Sequence, residues 1–112
     1  MNRRAMLTLA DEYAALLDAN GAVILRAPLD QHFVLPADRL IMLNHARWQL
    51  EIVRQVVHRL GGESTAIRIL GSAQGFLIAS GLMTVGEVWR NNEKWLDGAS
   101  VRAFETIKAE LE

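Results

Sequence analysis

From Pro36 to Leu60 the chain runs without an internal proline or glycine, and its apolar residues recur at helical spacing. Leu43, Ala46, Leu50, Val53, Val57 and Leu60 form a 3–4 repeat of the kind that makes a coiled-coil seam. Ile41, His45, Trp48, Ile52 and Val56 form a second, mostly apolar stripe beside it. Polar residues keep only one stripe, Asn44, Arg47, Glu51, Arg54 and His58. Well over half the circumference therefore asks for burial, more than on an ordinary surface helix. A proline in the first turn and Gly61-Gly62 as a stop predict one long helix over residues 36–60, with other helices around it.

The rest of the chain supplies those helices. Met6, Leu9, Ala10, Tyr13, Leu16 and Leu17 predict a helix over 3–19, stopped by Asn20-Gly21. A third helix is expected over 64–80, stopped by Gly81. Gly71, Gly75 and Ala79 lie along it at i, i+4, i+8, and two glycines inside a helix imply close helix packing. Thr84-Val85-Gly86-Glu87 reads as a capping box for a fourth helix. Its apolar side is Val85, Val88, Trp89, Asn92, Trp95 and Leu96, and its stop is Asp97-Gly98. Ser100 is expected to cap a fifth helix carrying Val101, Phe104, Ile107 and Leu111. Residues 22–35 read as an ordered, mostly extended link. Its Ala22-Val23-Ile24-Leu25 run has no strand to pair with except a copy from another chain. The expectation is an all-α, compact five-helix single domain over residues 1–112, with a long central helix.

Composition and motifs exclude most chemistry. Hydrophobic residues at 51% and charged residues at 22% rule out disorder. Zero cysteines exclude disulfides, thiolate metal sites and a cysteine nucleophile. His45 and His58 lie about 140° apart around one helix, so they cannot share a metal. No Glu-x-x-His pattern, Gly-x-Ser-x-Gly elbow or phosphate loop occurs. No metal, cofactor or catalytic residue is expected, and the chain reads as not an enzyme. Its longest uncharged apolar run, residues 69–83, is too short to span a membrane and contains glycine and serine. Without a secretory signal or cysteine, a cytoplasmic location is expected.

Two readings then compete. Residues 64–95 have the outline of a helix-turn-helix, which makes a DNA-binding regulator the alternative. Against it, the would-be recognition helix carries Glu87, Arg90, Glu93, Lys94 and Asp97, net negative where a phosphate backbone needs cations. The favoured reading is protein–protein binding, because the second apolar stripe mixes histidine and tryptophan, side chains that tolerate water before a partner arrives. Ile41, His45, Arg47, Trp48, Ile52, Trp89 and Arg90 are the candidate interface residues, with Trp48/Arg47 and Trp89/Arg90 as anchors. Homodimerisation is expected, since one small domain has difficulty covering both stripes.

The segment Ile69-Leu70-Gly71-Ser72-Ala73-Gln74-Gly75, continuing through Gly81-Leu82-Met83-Thr84 to Glu87, resembles one found in small helical proteins of phages and proteobacteria. Those proteins read Leu-Gly-Phe-x-Gln-Gly, an apolar run, a glycine–threonine turn and an acidic-capped helix. That resemblance implies a phage or mobile-element accessory protein of unassigned chemistry. The chain is also similar in size, helicity and lack of catalytic residues to pseudomonad quorum-sensing antiactivators of the QslA type. This second resemblance implies transcription regulation by binding a LuxR-type activator and blocking its dimerisation. It marks no individual contact residue.

Overall fold

Helix α1 spans Arg3–Ala19, the range its apolar stripe predicts. In the computed structural model, which describes residues 1–95 and 98–112, the Asn2 side chain accepts the Ala5 N–H and caps it. Its buried face is Ala5, Met6, Leu9, Ala10, Tyr13, Ala14 and Leu17. At the other end Gly21 takes φ +82°, so the Ala22 N–H can reach back to the Leu17 carbonyl. That closure is the six-to-one bond of a Schellman turn. It buries Ala22 and sends the chain out along residues 22–38.

α2 (Arg39–Val56) and α3 (Gly62–Ala79) are each 18 residues long. They lie antiparallel, with Gln49 bonded to Ser72 near mid-length and Arg39 to the Ser80 carbonyl at one end. α2 is shorter than the 36–60 expected, for reasons visible at both ends. The Val34 N–H donates to the Asp38 carboxylate and the Asp38 N–H returns to the Val34 carbonyl. This closes a turn over Leu35-Pro36 before the helix starts. At the far end the chain tightens after Val57, and Gly61 adopts φ +72°. A Cβ on Gly62 would collide with the Val56 carbonyl oxygen, so only glycine lets α3 begin that close to α2. Leu60, expected in the seam, falls in this turn and is fully exposed. The rest of the seam, Leu43, Ala46, Leu50, Val53 and Val57, is buried against α1 and α3.

α1 runs antiparallel to α2, and their polar edges are joined by ion pairs. Arg47 donates through Nε to Asp18 at 2.8 Å and through Nη1 to Glu51 at 2.6 Å. Arg54 donates to the same Glu51 oxygen and to Asp11. Burial by itself works against the charge on Arg47. The hydrogen bonds and charges of Asp18 and Glu51 outweigh that and raise its pKa.

α4 (Val85–Glu93) starts at Thr84 with both bonds of the expected capping box in place. Among the described residues of its expected apolar side only Val88 is buried, and Val85 is open to solvent. Asn92 is held by polar pairing instead. It exchanges two amide hydrogen bonds with Gln74, while Gln74 and Asn91 both donate to the buried Tyr13 hydroxyl. Leu96 and Asp97 lie outside the described residues. α5 (Gly98–Leu111) begins at Gly98, so Ser100 sits inside it and is not its cap. None of its residues is buried; its ring contact with the body is Phe104 on Trp89, centroids 4.1 Å apart. The radius of gyration, 14.8 Å, exceeds the roughly 13 Å of a close-packed chain this long, as a helix standing off the core requires. Among the described residues there are five helices and no strand, an all-α fold. None of these helices is long and apolar enough to cross a membrane.

Candidate protein-binding surface

The outer stripe of α2 is only half roofed, and the roof is the chain's own connector. After Ala22, the Val23 N–H donates to Asn44 Oδ1 at 2.8 Å, and the Ala27 N–H donates to His45 Nδ1 at 3.0 Å. These two bonds strap residues 22–28 across the N-terminal half of α2. To accept from Ala27, His45 must be neutral with its proton on Nε2. Burial, with the nearby Arg26 charge second, lowers its pKa and favours that neutral form. The ring is wedged between Trp48 (5.3 Å) and Phe76 of α3 (5.2 Å, edge-on). Phe33, further along the connector, meets Phe76 edge-on at 6.0 Å. Edge-to-face contacts of this kind add to the area they bury.

The strapped segment, the connector beyond it and the first turn of α2 all turn aliphatic side chains outward. Val23, Ile24, Leu25, Leu29, Val34, Leu35 and Leu40 are each between 47% and 78% exposed. Between the strap and α2 lies an apolar cleft of about 240 Å³, lined by Leu25, Arg26, Ala27, Pro28, Ile41 and Asn44. It is smaller than the roughly 300–1,000 Å³ of small-molecule sites, and suits one or two protruding side chains. Among the described residues no group of three His, Cys, Asp or Glu side chains is placed to hold a metal.

The residues expected at an interface are distributed unevenly. Ile41 lines the cleft, His45 anchors the strap, and Trp48 and Ile52 are half-buried on the same outer stripe. Arg47 is not available as an anchor. It is 7% exposed and committed to Asp18 and Glu51, because α1 presents its acidic edge to the polar stripe of α2. Trp89 and Arg90 lie on α4, away from the strap contacts, where Trp89 meets Phe104 and the exposed Arg90 guanidinium lies over Gly86. Among the described residues no other helix meets Gly71 or Gly75: a Cβ on either would point into open space. The connector aliphatics and Phe33 are absent from the expected set. The available signal was six large aliphatics within residues 22–35, a stretch lacking helical periodicity, where a solvated loop would carry polar residues.

Comparison with protein-family models, curated proteins and solved structures finds nothing that matches this chain.

Proposed function

We propose that the chain is a non-catalytic regulatory module that acts in the cytoplasm by binding another protein, with the connector laid over α2 as its docking face. The observation that carries this is the run of exposed Val23, Ile24 and Leu25 on a segment pinned in place by Asn44 and His45, continued by the exposed Leu29, Val34 and Leu35 further along the connector. Pinning matters because a pre-ordered surface loses little entropy when a partner arrives. The half-buried Trp48 beside the strap supplies an aromatic anchor of the type that dominates interface energetics. The resemblance to antiactivators narrows the partner to the ligand-binding domain of a LuxR-type activator, whose dimerisation would be blocked.

Sedimentation velocity of the chain mixed with such a domain tests the reading. The expected result is a complex containing one activator protomer, weakened by about 2 kcal/mol, roughly thirtyfold, in Trp48→Ala. The competing regulator reading draws on the α3–α4 turn, where Gly81 at φ +78° precedes the capped α4. No complex with the activator, together with a duplex-DNA shift that weakens steeply with salt, would replace the protein-binding reading by that one.

A further inference from the structure

We propose that the first occupant of the 22–40 face is a second copy of this chain, forming a two-fold dimer through it. The inference rests on reading that face as a protein-binding surface, and adds what fills it when no other partner is present. Area is the first argument. The seven outward aliphatics expose on the order of 700 Å², close to the about 800 Å² per partner of a standard stable interface. A second open apolar surface, the Val101–Phe104–Ile107–Leu111 stripe of α5, exposes on the order of half as much. Two such stripes together fall short of the roughly 1,000 Å² that a specific contact needs.

Charge is the second argument. A two-fold contact places the same patch on both sides, so its charges must complement themselves. The charged side chains inside 22–40 are two of each sign, Arg26 and Arg39 against Asp30 and Asp38, so the face carries no net charge. Asp38 is occupied by the Val34 N–H and Arg39 by the Ser80 carbonyl. Arg26 and Asp30 remain exposed without an ion pair among the described residues. Across a two-fold axis Arg26 of one copy meets Asp30 of the other, twice. A patch with a net charge would instead select a different protein of opposite sign. The backbone is the third argument. The N–H groups of Ile24, Leu25 and Arg26 have no acceptor among the described residues, so the segment carries free donors into the contact. Self-association then covers the surface offered to other partners, and the two are mutually exclusive.

Sedimentation equilibrium of the full chain at tens of micromolar should give a dimer of twice 12.5 kDa. Leu25→Asp and Val34→Asp alter exposed side chains, and each should yield a monomer with an unchanged helical circular-dichroism spectrum. Leu111→Asp, on α5, should leave the dimer intact. A monomeric wild type, face variants that stay dimeric, or dissociation by Leu111→Asp would each overturn the proposal. A monomeric wild type that binds the activator domain leaves the protein-binding reading standing. A dimer broken by the face variants but indifferent to the activator supports self-association and defeats the antiactivator reading.

Discussion

Replacing Arg47 tests what fastens α1 to α2. Truncating one member of a buried ion pair typically costs about 3–5 kcal/mol, because the remaining charge is stranded. Here the stranding is incomplete. The Asp18 side chain is 56% exposed and rehydrates, while Glu51 keeps its 2.6 Å bond to Arg54. What disappears is the pair of charge-assisted bonds and the packing of the Arg47 stem, which is buried with the rest of the side chain. Arg47→Ala should therefore cost about 2–3 kcal/mol. At about 4–8 °C per kcal/mol for a domain near this size, the melting temperature should fall by roughly 8–24 °C. Arg47→Met loses both charge-assisted bonds but keeps an apolar stem of similar reach, so it should recover the packing share and lie about 1 kcal/mol above Arg47→Ala. Urea unfolding followed at 222 nm, at two protein concentrations to separate folding from association, measures both. A loss under about 0.5 kcal/mol for Arg47→Ala would show that the ion pairs do not hold the helices together. Equal damage from Met and Ala would refute the division between charge and packing.

Three further outcomes follow from other contacts. His45 has a lowered folded pKa, so below 6.5 the unfolded chain takes up the proton first. Stability is thus full above that pH and falls as pH drops toward the folded value. His45→Phe keeps the ring and should flatten that slope in pH-dependent urea titrations; an unchanged slope would assign it to another group. Thr84→Ala removes the hydroxyl that accepts the Glu87 N–H and should cost about 1 kcal/mol, with amide exchange accelerated across α4; unchanged protection would mean the cap does not limit fraying. Gly71→Ala and Gly75→Ala add a methyl in open space on a helix interior, so each should stabilise the isolated chain by about 1 kcal/mol in thermal melts. Destabilisation that grows with protein concentration would place another copy's helix on that face.

The helices were legible where one residue type decides them. The α1 stripe ends in a left-handed glycine, and Thr84 with Glu87 can hardly be read except as a cap. Boundaries failed where a side chain had two uses. Asp38 spends its carboxylate on the Val34 amide, which shifts the start of α2 past Pro36, and nothing local in the sequence signals that choice. Gly62 looked like half of a stop and proved to be the first residue of α3, a role set by the nearness of the Val56 carbonyl. The candidate face was half visible. Helical periodicity finds the outer stripe of α2 because the stripe belongs to one element. The strap over it depends on Asn44 and His45 meeting backbone amides 21 and 18 residues away, and no periodic pattern encodes such pairings.

The amide pair of Gln74 and Asn92 carries a consequence for the C-terminal third of the molecule. Val88 is the one buried apolar residue of α4, and a single greasy contact lets a helix roll about its own axis. Two reciprocal amide bonds admit only one angle of roll, much as a keyway fixes a shaft. Trp89 precedes Asn92 by three residues, so that angle also decides where the indole points, and with it where Phe104 can seat. The bearing of α5 is accordingly set by two neutral side chains on other helices. Exchanging Gln74 for leucine would leave every helix formed and let the last one wander.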